Sequence, residues 1–266
     1  MRLVLWSGMV LLLLLSCGSE SQSTDRAYTE VDHTYAAYAD LLDRHLLGTR
    51  VDYAALKANR SVLDSLITDL EMADLREATL EQKLAFYINA YNLITLRSVI
   101  DAYPVESIKD IDGVFDEQEW RVSGQLVTLD ELEHEIIRKQ FDEPRIHVAV
   151  NCASIGCPPL APEPYRAPTL DSQLTEQSVF FAGSSDYNRL HPERARAELS
   201  KIFEWFGEDF IPQYQTDTTQ DHLSEKENAS LHFILLQHPD SSPKLWEPEY
   251  AVSYLEYNWA LNDTTR

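Results

Sequence analysis

Residues 79–100, TLEQKLAFYINAYNLITLRSVI, have the pattern of the main helix of the domain. Its first residues have the form of a capping box, in which Thr79 and Gln82 satisfy each other's main-chain N–H groups. The apolar run that follows ends before Pro104, and helices commonly stop ahead of a proline. The sequence therefore predicts a long helix here.

Further helices are predicted on both sides of this one. Residues 128–131, TLDE, form a second capping box, which opens a helix that we expect to stop near Phe141. Pro192 suits the first turn of a helix over residues 193–210. Three more helices are predicted at residues 35–47, at residues 61–72 and after the capping residues 224–227.

Strand signals are fewer. Residues 121–127 have Ser123 and Gly124 at the middle of a candidate β-hairpin. Residues 146–150 are short, β-branched and apolar, as in a buried strand, and residues 252–261 have the near-alternation of a closing strand. The sum predicts an α+β fold, a mostly helical single domain with one small sheet, over residues 30–266.

The N-terminus, MRLVLWSGMVLLLLLSC, has the pattern of an export signal, since the apolar residues 3–15 are too few for a finished membrane span. The order Leu-Leu-Ser-Cys resembles the lipobox of bacterial lipoproteins. We therefore expect a lipoprotein signal peptide at residues 1–16, lipidation of Cys17 and a tether over residues 17–29. Gly18, where an aspartate would retain the protein at the inner membrane, points to the outer membrane of a bacterial cell envelope.

The chain is strongly acidic, with 22 basic and 44 acidic residues and a formal net charge of −22. Such a surface repels phosphate backbones, which excludes nucleic acid as a partner. The expected partners are the membrane, reached through the lipid on Cys17, and a peptide or an envelope component as ligand. No cofactor is expected.

The helix predicted after Thr128 carries two candidate catalytic residues. At about 100° per residue its apolar side chains gather on one side, with Glu133 inside that arc and His134 at its edge. A carboxylate that faces a core is costly unless it is paired. Two alternatives stay open: Glu133 forms a structural salt bridge with Arg97 or Arg145, or it orients His134 or a substrate.

Three asparagines are the candidate substrate-binding residues. Asn89 and Asn92 are three residues apart and share one face of the long helix. Amides are poor mid-helix choices for propensity alone, so we expect them to hold a neighbouring loop or a substrate carbonyl. Asn151, which follows the apolar residues 146–150, is the third candidate.

The stretch RIHVAVNCASIGCPPL, residues 145–160, contains two of the three cysteines. In an extended strand His147 and Cys152 would point to opposite faces, and Cys152 would lie where the strand enters a tight turn. Three alternatives stay open. Cys152 and Cys157 form a disulfide, as is natural outside the cytoplasm; or both bind a metal with His147 and His134; or Cys152 is a catalytic thiol served by His134.

Four motifs, FYINAYN, LDELEHEIIR, HVAVNCASIGCPPL and VSYLEYNWALN, together resemble the family called domain of unknown function 547, over about residues 80–262. Its plant members replace Cys157 by serine and vary at His147. The resemblance thus implies that the family does not keep Cys152 in order to form a disulfide. It also favours His134 over His147 as the histidine that serves Cys152. The residues that it marks as characteristic of the family are Asn89, Asn92, Glu133, His134 and Cys152.

One position departs from the family pattern. The last motif usually has an aspartate before its tryptophan, and this chain has Asn258 before Trp259. If the aspartate were a catalytic carboxylate, this protein would be impaired; if it only accepts a hydrogen bond from a main-chain amide, asparagine serves as well. The family has no settled activity, so the resemblance supplies residues and not a reaction.

These observations lead to one main functional hypothesis and two alternatives. The main one is a cysteine-dependent acyl-transferase or amide or thioester hydrolase, with Cys152 as nucleophile, His134 as its base and Glu133 orienting the imidazole. The first alternative is a non-catalytic binding lipoprotein with a Cys152–Cys157 disulfide, and the second is a small metal site around His147 and these cysteines.

Overall fold

The computed structural model describes residues 28–216, 220–240 and 242–265. Within these ranges it has the predicted mostly helical α+β fold of a single domain. None of the helices in these ranges is both long and apolar enough to cross a membrane. The predicted signal peptide, Cys17 and the tether up to residue 27 lie outside the described residues. The α-helices are α1 (Ala36–His45), α2 (Tyr53–Ala58), α3 (Ser61–Met72), α4 (Leu80–Ala102), α5 (Arg138–Gln140), α6 (Leu170–Gly183), α7 (Lys201–Phe206), α8 (Ile211–Tyr214) and α9 (Glu225–Gln237).

Helix α4 is the centre of the larger of two apolar cores. Thr79 Oγ1 accepts from Gln82 N at 3.2 Å and Gln82 Oε1 accepts from Thr79 N at 2.8 Å, so the predicted capping box is confirmed. The helix ends before Pro104, as expected. Most of its side chains are buried on every side, which is the state of a helix that runs through a core rather than over one. Helices α2 and α3 pack directly against it.

A second apolar core lies among α6, α7 and α9. Phe203 of α7 contacts Phe181 and Phe233, with ring centroids 6.1 Å and 5.9 Å apart, and all three rings are fully buried. Val148 belongs to this core, whereas Val150 belongs to the core around α4. The chain therefore passes from one core to the other immediately before Cys152.

The strands form several small sheets in place of the one expected, because most are only two or three residues long. They are β1 (Thr29–Glu30) parallel to β4 (Ala73–Asp74), β2 (Leu46–Leu47) antiparallel to β3 (Arg50–Val51), β5 (Trp120–Val122) antiparallel to β6 (Gln125–Val127), and a sheet of β7 (Arg189–His191), β8 (Arg196–Leu199) and β9 (Ala251–Tyr254). The pair β5 and β6 is the predicted hairpin. Positive φ angles at Ser123 (47°) and Gly124 (79°) turn the chain between them, as a two-residue hairpin loop requires.

The three-stranded sheet directs the C-terminal segment toward the loop that carries Cys152. Strand β9 pairs in parallel with β8, so that Tyr254 lies opposite Leu199. The chain then runs alongside the cysteine loop, where Ile155 N donates to Ala260 O at 2.8 Å and Asn262 N donates to Ala153 O at 3.0 Å. Only the first part of the strand predicted over residues 252–261 is regular.

The strand predicted over residues 146–150 is wrong. Residues Pro144–Val148 form a 3-10 helix instead. Proline begins such a turn readily because its φ is already fixed, and the Glu143 carboxylate caps it by accepting from Arg145 N at 3.0 Å. Local capping therefore overrides the β-branched composition that indicated a strand.

The helix predicted over residues 193–210 is interrupted. Ala195 adopts a left-handed φ of 49°, which stops the first turn, and the next residues pair as β8. Helix α7 begins only after Ser200, whose hydroxyl accepts from Ile202 N at 3.3 Å. The helix predicted after residues 224–227 is present as α9, with the expected capping box at Ser224.

The helix predicted after Thr128 is present but has an unexpected geometry. Thr128 Oγ1 accepts from Glu131 N at 3.1 Å, which confirms the capping box. Residues Glu131–Ile137 are π-helical, and the N–H of Arg138 bonds to the carbonyl of Glu133, five residues back. Such wide turns are frequent at functional sites, and this one carries both candidate catalytic residues.

Candidate active site

A cavity of about 270 Å³ lies where the two cores meet. It brings together the three predicted catalytic residues, Cys152, His134 and Glu133, and its wall also includes Cys157 and His147. Apolar and aromatic side chains form much of the remaining wall, among them Phe115, Ile202, Trp205, Phe206, Tyr257 and Trp259. An apolar concavity with a few converging polar groups is the usual form of a small-molecule site.

The loop after Asn151 turns sharply to present Cys152 to this cavity. Asn151 Oδ1 accepts from Ala153 N at 2.9 Å, and Ala153 has a positive φ of 59°. A left-handed conformation costs a non-glycine residue about 1–2 kcal/mol. Strained residues of this kind cluster at functional sites, and this one folds Ser154 back toward the cysteine.

Asn92 and Asn151 hold this loop in place. Asn92 Nδ2 donates to Ala149 O at 3.1 Å, and its Oδ1 accepts from Asn151 N at 2.8 Å. Asn151 donates its own Nδ2 to Pro158 O at 2.7 Å. These buried amides are bonded to the main chain and position the cysteine loop. That Asn92 and Asn151 bind substrate stays a prediction.

Asn89 holds a different loop. Its Nδ2 donates to Tyr165 O at 2.8 Å and its Oδ1 accepts from Tyr165 N at 3.0 Å. Both ends of the amide therefore fix the loop that precedes α6 against α4. A contact of Asn89 with a substrate stays a prediction.

The sulfur of Cys152 lies among hydroxyl groups. Ser154 Oγ is 3.2 Å from it and Tyr257 Oη is 3.1 Å from it, and these two oxygens are 2.8 Å apart. Burial raises the pKa of Tyr257 well above its ordinary value, so its hydroxyl keeps its proton and can donate to a thiolate.

These contacts lower the pKa of Cys152 to about 7. The largest contribution is a hydrogen bond from the Cys157 thiol, which outweighs burial, and bonds from Ser154 and Tyr257 add to it. The main-chain N–H of Ser154 contributes as well. The side chain is partly exposed to the cavity, so a nucleophilic thiolate is both stabilised and accessible.

Cys157 is the complementary partner. Both cysteines are free thiols. Cys157 Sγ accepts from Cys152 N at 3.1 Å and lies 3.6 Å from Val150 O. Burial raises the pKa of Cys157 well above its ordinary value, so it stays protonated while Cys152 ionises.

His134 lines the cavity but has a different partner from the one predicted. Arg138 Nη1 lies 3.3 Å from His134 Nδ1, whereas Glu133 Oε1 is 3.9 Å away from that nitrogen. A guanidinium can only donate, so the neutral imidazole accepts at Nδ1 and carries its proton on Nε2. Among the described residues, Ser154 and Tyr257 hydrogen-bond Cys152 Sγ, and His134 does not.

Glu133 is buried, as its position inside the apolar arc predicted, but neither of its predicted salt-bridge partners contacts it. Arg97 pairs with Asp64 and Asp101, and Arg145 pairs with Glu143 and Asp171. Glu133 hydrogen-bonds Tyr91 instead. Burial raises the pKa of Glu133, and the bond from Tyr91 and the charge of Arg138 offset this only in part.

His147 and Asp209 join the site through Arg138. His147 Nε2 lies 2.7 Å from Asp209 Oδ2, and Arg138 binds both oxygens of that carboxylate, at 2.7 Å and 2.9 Å. Burial opposes ionisation of Asp209, but the bonds from His147 and Arg138 hold its pKa well below the ordinary value. A single carboxylate thus couples the two histidines of the cavity, and Phe206 stacks on His147 with centroids 4.5 Å apart.

Aromatic rings form one rim of the cavity. Trp205, Tyr257 and Trp259 pack on one another with centroid distances of 4.5–6.0 Å. Trp205 is 43% exposed, and Lys109 lies over the ring of Trp259 at 4.7 Å. This rim offers flat apolar faces beside the thiol, which suits an apolar or aromatic group of a ligand.

The remaining predictions concern Asn258 and metal binding. Asn258 Oδ1 accepts from Ala260 N at 3.0 Å, the main-chain role in which asparagine can replace the usual aspartate. Among residues 28–216, 220–240 and 242–265, no group of three His, Cys, Asp or Glu side chains is arranged to hold a metal ion.

Sequence reasoning did not assign roles to four residues of the site. Arg138 is four residues after His134 on one helix, a spacing that could have indicated their contact. Ser154 and Tyr257 lie inside quoted motifs but have no spacing signal that relates one to the other. Asp209 carries no sequence signal at all, because it meets His147 only in the folded chain.

The family model described as "Protein of unknown function, DUF547" matches residues 75–181. The match covers α4, the π-helical segment and the cysteine loop, whereas the motif with Tyr257 and Trp259 lies beyond it. No curated protein and no solved structure matches the chain.

Proposed function

This chain belongs, through residues 75–181, to the DUF547 family, and we propose that its cavity is the active site of a cysteine-dependent acyl-transferase or hydrolase. The observation that carries the proposal is the sulfur of Cys152, which contacts two hydroxyl groups on the wall of an apolar cavity. These donors stabilise a thiolate without a histidine in contact.

In the proposed reaction the Cys152 thiolate attacks the carbonyl carbon of an ester, thioester or amide. A carbon–sulfur bond forms, the bond to the leaving group breaks, and the leaving group departs with a proton. Water or another acceptor then takes the acyl group from sulfur and restores the thiolate. The hydroxyl groups of Ser154 and Tyr257 can donate hydrogen bonds to the carbonyl oxygen as negative charge moves to it from the sulfur.

His134 orients the leaving group in this proposal. Arg138 keeps the proton of the neutral ring on Nε2, so the ring donates a hydrogen bond to the leaving atom, which takes its proton from water. Glu133 and Asp209 are positioning residues: Glu133 lies beside the imidazole, and Asp209 holds Arg138.

The substrate proposed for this site carries an apolar acyl group. The wall is mainly apolar, and the rings of Trp205 and Trp259 form its rim. We further propose that the enzyme is an envelope lipoprotein anchored through Cys17 in the outer membrane, facing the periplasm or the cell surface. A peptide or lipid-linked component of the envelope would then be within reach.

Acylation of the thiol tests the proposal directly. The reduced full-length protein is mixed with 4-nitrophenyl acetate or 4-nitrophenyl hexanoate, and the adduct is mapped by peptide mass spectrometry. We expect a burst of nitrophenolate equivalent to the protein and an acyl group on Cys152. Trp205→Ala should slow the hexanoyl reaction more than the acetyl reaction, because it shortens the apolar rim.

Two matched variants decide the outcome. Cys152→Ser should remove the burst and the adduct, whereas Cys157→Ser should still be acylated at Cys152. A burst of equal size in Cys152→Ser, or acylation of surface residues alone, overturns the proposal. In that case the remaining hypothesis is a non-catalytic protein that binds its ligand in the same cavity.

A further inference from the structure

We propose that Cys152 and Cys157 form a dithiol that reacts with hydroperoxides, Cys152 being the residue oxidised first and Cys157 the residue that closes the disulfide. This reaction goes beyond the proposed acyl chemistry and shares with it only the nucleophilic sulfur. It would make the site a reversible oxidation site.

The two sulfurs are already neighbours. Cys157 Sγ lies 3.1 Å from Cys152 N and accepts its hydrogen bond, so the second sulfur is held against the main chain of the first cysteine. The intervening loop is compact: a Cβ at Gly156 would come within 2.9 Å of Asn258 N and 3.1 Å of the Tyr257 ring. A loop so closely packed keeps the second sulfur beside the first.

The two thiols differ in access. Cys152 is partly exposed and faces the cavity, whereas Cys157 is only 6% exposed. An oxidant that enters the cavity therefore meets Cys152 first. Ser154 Oγ and Tyr257 Oη, both next to its sulfur, can donate to the oxygen that leaves as the peroxide bond breaks.

The two thiols also differ in protonation. Cys152 has the lowered pKa, so it supplies the thiolate that attacks, while burial keeps Cys157 as the neutral thiol. This asymmetry fits the first step, in which the accessible anion attacks the peroxide. In the second step the Cys157 thiol passes its proton to the departing hydroxide as its sulfur attacks.

The chemistry balances with one hydroperoxide as oxidant. The Cys152 thiolate attacks the outer peroxide oxygen, the O–O bond breaks, and with one proton the products are a sulfenic acid and an alcohol, or water when the oxidant is hydrogen peroxide. The Cys157 sulfur then attacks the sulfenic sulfur, a disulfide forms, and hydroxide leaves as water with the thiol proton. Two electrons pass from the two sulfurs to the peroxide, and an external dithiol returns them.

The test uses hydrogen peroxide on the reduced full-length protein with dimedone present as a sulfenic acid trap. The tryptic peptides that contain residues 152 and 157 are followed by mass spectrometry, which separates them from Cys17. In wild type we expect these residues to lose two hydrogens with no dimedone adduct, and dithiothreitol to restore them. In Cys157→Ser we expect the dimedone adduct on Cys152.

The wild-type result alone can overturn the proposal. Dimedone adduct or sulfinic acid on Cys152, with Cys157 still open to N-ethylmaleimide after denaturation, would show that Cys157 does not resolve the oxidised residue. Disulfides that join Cys152 of two molecules would overturn it as well. Far-UV circular dichroism of Cys157→Ser checks that the variant is folded.

The outcome is independent of the acylation test. Formation of the disulfide should lower the nitrophenyl ester burst at least tenfold, because the sulfur of Cys152 is then bonded to Cys157. Reduction frees the sulfur and should restore the burst. Acylation without disulfide formation overturns only the dithiol proposal. Disulfide formation without acylation overturns only the proposed acyl chemistry.

Discussion

The hydroxyl of Tyr257 lies 3.1 Å from the sulfur of Cys152, although 105 residues separate them in the chain. The contact follows from the parallel pairing of β9 with β8 and from the course of the segment after Tyr254, which runs along the cysteine loop. The reactivity of the thiol therefore depends on the attachment of the C-terminal segment.

Tyr257→Phe should destabilise the Cys152 thiolate and so raise the pKa of Cys152, while leaving the aromatic rim in place. A hydrogen bond to a charged group contributes about 1.5–3 kcal/mol, so alkylation of Cys152 by iodoacetamide near neutral pH should slow about tenfold. In wild type the rate should rise with pH around a midpoint of about 7, and the variant's midpoint should lie higher.

Tyr254→Phe is the matched control for that variant. The Tyr254 hydroxyl is buried and has no hydrogen-bond partner among the described residues, so its removal should leave the alkylation rate of Cys152 unchanged. Equal slowing in both variants would show that the Tyr257 hydroxyl does not act on the sulfur.

Asn92→Ala should loosen the cysteine loop. It removes the bonds to Ala149 O and Asn151 N and leaves buried main-chain groups unpaired, at a cost of about 2–4 kcal/mol. Urea unfolding should show this loss, and alkylation of Cys152 should lose its low-pH reactivity. Asn89→Ala also loses two bonds but holds a different loop, so it should lower stability while Cys152 keeps its pH profile.

Glu133→Gln should be more stable to unfolding than wild type at high pH, and the difference should grow as the pH rises. Burial raises the folded-state pKa of Glu133 above its ordinary 4.5, so the folded protein holds this proton more tightly than the unfolded chain does. Stability is therefore lost as pH increases from 4.5 through the folded pKa, and glutamine avoids this loss. Urea midpoints should favour the variant at pH 8 and converge below pH 4.5; a gap that does not change with pH would contradict the assignment.

Asn258→Asp should preserve the site. Aspartate keeps the oxygen that accepts from Ala260 N, so the alkylation rate of Cys152 should change less than about threefold. Asn258→Ala removes the acceptor from an exposed position and should cost about 0.5–1 kcal/mol in urea unfolding. A large gain in acylation by Asn258→Asp would instead indicate a catalytic carboxylate.

Capping residues account for the accuracy and for the errors of the sequence predictions. Thr79, Thr128 and Ser224 bond to groups three residues away, and all three helix starts were predicted correctly. Residues 146–150 were judged by composition alone, and the turn made by Pro144 overruled it. The left-handed turn at Ala195, a residue with no preference for that conformation, had no visible signal.

Short spacings and motifs were enough to predict the helix starts and the hairpin turn and to single out Cys152, His134 and Glu133, which line one cavity. The contacts of these three residues arise only when the chain folds. Tyr257 reaches Cys152, and Asp209 links His147 to Arg138, across separations that no local pattern encodes. The helix asparagines Asn89 and Asn92 bond to the main chain because folding brings two loops against α4.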